Sequence, residues 1–153
     1  MAGLEEVNWK NTVEFVPLVT GGKVIKVYDC DTITISTQIP YRSELPESKV
    51  FYRFHIRLNG IDTPEMKSSN EDEKSLAQLS QKALSERIMN KNVTLKNTST
   101  DKYGRILADV YDENNLHLNK WILDNRYGVK YDGGSKNPPK SWSEYYKTGK
   151  LNP

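Results

Sequence analysis

Apolar and polar residues alternate over Thr32-Ile33-Thr34-Ile35-Ser36 and again over Tyr52-Arg53-Phe54-His55-Ile56-Arg57-Leu58. Side chains alternate across a strand, so both segments predict half-buried β-strands. In the second, Tyr52, Phe54, Ile56 and Leu58 are expected in the core, and Arg53, His55 and Arg57 on the other face. Val24, Ile25 and Val27, after the breaker Gly21-Gly22, predict a strand that runs into the turn Tyr28-Asp29-Cys30-Asp31. Val93–Lys96, Arg105–Tyr111 and the short Val129–Tyr131 are extended segments. Between them the period changes. Leu76, Leu79, Ala83, Leu84 and Ile88 fall at helical spacing and predict a helix over 71–91, with Asn70 and Glu73 as a capping pair. Leu118–Arg126 predicts a second helix, stopped by Gly128. Ser141–Lys147 predicts a third, capped by Ser141 or Ser143. Asn59-Gly60, Asp101-Lys102-Tyr103-Gly104 and Asp112-Glu113-Asn114-Asn115 read as turns, with Gly104 at a left-handed position. Residues 37–49, with Pro40 and Pro46, read as a loop or an extended hairpin end.

Five mostly antiparallel strands with a helix between the third and fourth is the order of an OB-type barrel. The expected class is α+β, rich in β: a five-stranded OB-fold-like barrel with two or three helices. Residues 1–22 read as an irregular lead-in and 23–153 as one domain; the length of 153 residues suits that. No run approaches the ~18 apolar residues of a membrane span. One cysteine excludes an internal disulfide, and two histidines argue against a histidine-rich metal site. The net charge of +2 is too small for binding nucleic acid by charge alone. Residues 120–153 are a local exception, with seven basic and three acidic side chains, and offer a weak phosphate-facing flank. Glu5 and Glu6 stand where a secretory signal would be positive, which favours an intracellular protein unless a leader has been removed.

Four features carry candidate chemistry: Asp29-x-Asp31 in a turn, Asp62-Thr63-Pro64-Glu65 at a strand end, Arg57 on the outward face of its strand, and Asp101-Lys102-Tyr103-Gly104-Arg105. Alone, each is an ordinary turn or a solvated side chain. Together they are parts for phosphodiester cleavage. Carboxylates and carbonyls suit a hard divalent cation. Arginines suit the phosphate because the guanidinium fork donates two parallel hydrogen bonds. A glutamate beside a metal can act on water.

The order of these motifs resembles the staphylococcal nuclease family, from about Lys23 to Asn152. It is carried by Val27-Tyr28-Asp29-Cys30-Asp31-Thr32, by Ile56-Arg57-Leu58-Asn59-Gly60-Ile61-Asp62-Thr63-Pro64-Glu65 and by Asp101-Lys102-Tyr103-Gly104-Arg105. The resemblance implies a calcium-dependent hydrolase that cuts DNA and RNA with little sequence specificity, breaking the bond to the 5′ oxygen and leaving 3′-phosphate ends. It implies one calcium ion held by Asp31, Asp62 and the backbone carbonyl of Thr63, with Asp29 as an outer carboxylate. Glu65 would act on the nucleophilic water, and Arg57 and Arg105 would grip the scissile phosphate. Lys102 and Tyr103 would contact a terminal phosphate, and Tyr131 would lie against the nucleotide. A small barrel face with tyrosines favours single strands over stable duplex. The expected protein is a monomer without a membrane partner. The alternative is a non-catalytic module of the same shape that holds nucleic acid or a protein. A plain calcium-binding protein is disfavoured, because no EF-hand pattern occurs.

Two features depart from the family pattern. Cys30 stands where glycine is usual; flanked by carboxylates, it reads as an inert packing residue. The segment 38–49 is longer than the family's hairpin, and could add substrate contacts or form a mobile tip.

Overall fold

The computed structural model describes residues 3–39 and 50–152, so most of the 37–49 loop, with Pro40 and Pro46, lies outside the described residues. Two short 3-10 turns, Leu4–Glu6 and Trp9–Asn11, precede the first strand. The strands are β1 (Gly21–Asp29), β2 (Thr32–Thr37), β3 (Tyr52–Leu58), β4 (Ile61–Asp62), β5 (Asn92–Thr100), β6 (Ile106–Tyr111) and β7 (Val129–Lys130); the helices are α1 (Glu71–Ile88), α2 (Leu118–Asp124) and α3 (Trp142–Thr148). Five of the strands close into a barrel in the order β1-β2-β3-β6-β5. Every pairing in it is antiparallel except β3 with β6, where Arg57 sits opposite Leu107. The α+β barrel is the one the alternation predicts. The short β4 and β7 pair with each other outside it, with Asp62 opposite Val129.

The interior is filled by inward residues of the strands, among them Val24, Val27, Ile33, Ile35, Ile56, Leu58 and Val110, and the same cluster takes in Leu84 and Ile88 of α1 and Leu118 and Ile122 of α2. Each such side chain contributes about 1.5–3 kcal/mol on burial. Tyr52 and Phe54 are only half-buried, so β3 enters the core from Ile56 onward. Register shifts in β1 between Val24 and Lys26 and between Val27 and Asp29 bend the strand. They leave Val24 and Val27 inward while Ile25, Lys26 and Tyr28 face out.

Helix α1 differs from its expected face. It buries Leu76, Ala77, Ser80, Leu84 and Ile88, whereas Leu79 is 41% exposed. The small Ala77 and Ser80 let the helix sit close to the β1–β2 turn: the Cys30 thiol approaches the Ser80 carbonyl at 3.6 Å, and Gln81 Nε2 donates to the Val27 carbonyl at 2.9 Å. Asn70 caps α1 by accepting from the amides of Asp72 and Glu73. Glu73 does not return to Asn70 but holds the preceding loop, as described below. Helix α2 stops earlier than expected, at Asp124, and the left-handed residue after it is Arg126 rather than Gly128. Ser141 is the cap of α3, and Gly149 terminates that helix. Asp72 also binds Ser143, tying the start of α1 to the start of α3.

Candidate active site

The β1–β2 turn carries Asp29 and Asp31, both buried. The Asp31 amide donates to Asp29 Oδ1 at 3.1 Å, and the Asp31 carbonyl accepts from the Leu58 amide at 2.8 Å. Its carboxylate is equally placed: Oδ1 accepts from Thr32 Oγ1 at 2.9 Å, and Oδ2 from the Thr63 amide at 3.3 Å. The turn is therefore pinned to the ends of both β3 and β4. Cys30 is absent from the residues with positive φ, so the turn forms without glycine's freedom. Its side chain is fully buried in the core. Burial, with Asp31 and Asp29 alongside, pushes the thiol well above its usual range.

Arg57 follows the alternation onto the outer face of the barrel, but it is not solvated as a lone strand arginine would be. Only 8% of the residue is exposed. Nη1 donates to the Leu58 carbonyl at 2.7 Å and Nη2 to the Ile61 carbonyl at 2.9 Å, while Nη2 lies 3.4 Å from Asp31 Oδ2. The Asn59-Gly60 turn, with Gly60 at φ +80°, folds β4 back so that the Ile61 carbonyl reaches the guanidinium.

Asp62 and Thr63 are buried where β4 meets β7. Asp62 Oδ1 and Thr63 Oγ1 are buried atoms without a hydrogen-bond partner. Gly128 lies against this segment: a Cβ there would fall 2.9 Å from the Asp62 carbonyl and 3.0 Å from Thr63 Cγ2. Close approach, not helix termination, is what this glycine supplies. Glu65, by contrast, is exposed, on a loop held by Glu73, which accepts from the Glu65 amide at 3.0 Å and from Ser68 Oγ at 2.8 Å.

Lys136, from the loop after β7, enters the site. Its ammonium lies 3.3 Å from Asp62 Oδ1, outside hydrogen-bond alignment, and 3.2 Å from Glu65 Oε1. Sequence reasoning places it only in a basic flank; no spacing rule ties position 136 to 62. Burial pushes the Asp62 carboxyl up, against the pull of Lys136. Burial works against the charge of Lys136 too, but Asp62 and Glu65 outweigh it and hold the ammonium above its usual value. Asp29 is pushed up to about 8, by burial first and then by the charge of Asp31.

On the other side of Arg57, Gly104 at φ +82° closes the turn before β6. Asp101 organises it: Oδ1 accepts from the amides of Tyr103 and Arg105, each at 2.9 Å, and Oδ2 pairs with Arg105 Nε at 2.6 Å. Lys102 and Arg105 lie over the Tyr103 ring, at 5.2 and 5.4 Å from its centroid. Tyr131 donates from its hydroxyl to the Gly134 carbonyl at 2.7 Å. Arg57, Arg105, Lys102, Tyr103 and Tyr131 line one concavity of about 350 Å³. Tyr131 also borders a larger one of about 650 Å³, which includes Asp109, His117 and Asp132.

Among the described residues no three acidic, histidine or cysteine side chains are grouped tightly enough to hold a metal by themselves. Two carboxylates, a backbone carbonyl and water are a different case. The donors at hand are all oxygen; Asp62 Oδ1 accepts no hydrogen bond and lies against the half-exposed Lys136 ammonium, and burial disfavours the charged forms of Asp29 and Asp62. That donor set fits a hard divalent cation, which takes oxygen ligands and keeps waters. The sequence-predicted residues thus divide into an arginine-lined concavity and a carboxylate group, with the Asp31–Arg57 pair between them.

Sequence comparison bears on the family. The chain is 30% identical over 102 residues to an uncharacterized endonuclease of Escherichia coli, a match covering 67% of this chain and 55% of that protein, so the chain spans about half of that relative's length. The family model for the staphylococcal nuclease homologue matches residues 55–147, which include Arg57, Asp62, Glu65, Arg105 and Lys136. With the barrel and the family model in accord, the chain belongs to the staphylococcal nuclease homologue family.

Proposed function

We propose that this protein is a calcium-dependent nuclease that hydrolyses phosphodiester bonds of DNA and RNA, preferring single strands and leaving 3′-phosphate ends. One observation carries the reading: two arginines, one at the end of β3 and one in the turn before β6, share a concavity, and the first is paired with a carboxylate of the adjoining acidic group. Arg57 and Arg105 donate to the oxygens of the scissile phosphate, with forks already set by carbonyls and by Asp101 before substrate arrives. Lys102 and Tyr103 flank a terminal phosphate, and Tyr131 rests against the nucleotide. Glu65, exposed and carried by a loop that Glu73 fixes, takes a proton from the attacking water. Asp31, Asp62 and the Thr63 carbonyl hold the cation, with Asp29 outside them. When bound, calcium would supply positive charge to offset the negative charge that builds on the phosphate oxygens.

The test is incubation of the purified protein with denatured DNA and with RNA, with calcium and then with a chelator. Degradation that stops with the chelator and is lost in Glu65→Gln is expected. Gel retardation without cutting overturns the enzyme reading in favour of a binding module.

A further inference from the structure

The concavity around Arg57 is not isolated. Tyr103 and Arg105 also line a second hollow, of about 440 Å³, on the outer face of the barrel, together with Lys26, Tyr28, Thr32, Thr34 and His55. Its walls come from β1, β2 and β3, and the shifted register of β1 is what turns Lys26 and Tyr28 outward into it. Lys26 Nζ lies over the Tyr28 ring at 5.7 Å, repeating the cation-over-ring arrangement of Arg105 on Tyr103. Thr34 Oγ1 and His55 Nδ1 are 3.1 Å apart on the floor. Lys26 and Arg105 stand in it with no carboxylate among the lining residues, whereas in the hollow beyond Tyr131 Asp109 and Asp132 offset Lys120 and Lys130. Charge therefore distinguishes the two directions in which a polyanion could leave the Arg57 concavity.

We infer that the Lys26–Tyr28–His55 face is a second nucleotide subsite, which takes the neighbouring nucleotide of a single strand whose scissile phosphate lies at Arg57 and Arg105. The inference rests on the nuclease reading and adds the course of the strand. Tyr28 and Tyr103 offer faces on which successive bases stack, and Lys26 meets a backbone phosphate between them. Stacking tolerates any base, so the subsite lends affinity without sequence preference.

The test is calorimetric titration of the Glu65→Gln protein with thymidine oligomers of two and of six nucleotides, with calcium present. Tyr28→Ala in that background is expected to weaken binding of the hexamer by roughly 5- to 150-fold, the range of one lost base stack. Binding of the dimer, which the Arg57 concavity holds, is expected to stay unchanged. Tyr28→Trp keeps a stacking face and restores the hexamer, which separates lost stacking from a disturbed fold. Lys26→Ala is expected to make the salt dependence of hexamer binding shallower by about 0.7 in log–log slope. Equal affinity of Tyr28→Ala and its parent for the hexamer overturns the subsite while leaving the nuclease reading intact. Failure of the parent to bind either oligomer overturns both.

Discussion

Arg57 and Arg105 face the same concavity but are held by opposite means. Arg57 has a side chain 9% exposed and is fixed by groups far along the chain: Asp31 from the β1–β2 turn and the Ile61 carbonyl from β4. Arg105 is 30% exposed and is held by Asp101, four residues away, within one turn. The first belongs to the tertiary structure, the second to a local motif. Equal charge in one pocket thus carries two energetic burdens: removing Arg57 strands a buried carboxylate and two carbonyls, whereas removing Arg105 disturbs only its own turn.

Activity against stability tests that difference. Both Arg57→Ala and Arg105→Ala are expected to slow cutting of denatured DNA by about 10³–10⁵, the scale of a lost arginine on a phosphoryl transition state. Only Arg57→Ala should also lose about 3–5 kcal/mol of folding stability, as for a broken buried pair. Equal losses in urea denaturation for the two variants would break the comparison. Asp101→Asn is expected to leave the fold in place and reduce turnover by up to about 10²-fold, through misplacement of Arg105 alone.

The acidic side gives a pH signature. The folded protein holds a proton on Asp29 that the unfolded chain releases near ~4, so this residue's unfavourable contribution grows as pH rises from about 4 towards about 8. In chelator, Asp29→Asn should melt higher than the parent at pH 8, with the gap closing near pH 4. A constant gap across that range would show that Asp29 is already ionised at low pH. The smallest effect is expected at Lys136, whose half-exposed ammonium competes for Asp62 and Glu65. Lys136→Met should tighten calcium binding by up to roughly fivefold, the worth of a partly solvated ion pair. Titration calorimetry reads this without any substrate.

What was legible in the sequence followed from periodicity and from turn chemistry. Alternation placed the barrel strands and turned Arg57 outward; Asp-Lys-Tyr-Gly announced a left-handed glycine, and Gly104 is one. Burial was less legible. Arg57 is covered because β4 folds back over it, and two residues, Ile61 and Asp62, make too short a strand for any pattern to show. Leu79 obeys helical spacing yet faces out, because Ala77 and Ser80 are what fit against the β1–β2 turn. Lys136, Glu73 and Gly128 escaped as site residues for a common reason: each acts on a segment distant in the chain or through the backbone, and neither relation leaves a local signal.

The lone parallel pairing, β3 with β6, has a temporal consequence. It unites segments separated by the whole of α1 and β5, and such distant unions are slow to form. Since Arg57 sits at the end of β3 and Arg105 just before β6, a nascent chain can set the first guanidinium early, on Asp31 and Ile61, but brings the second beside it only when β6 has docked.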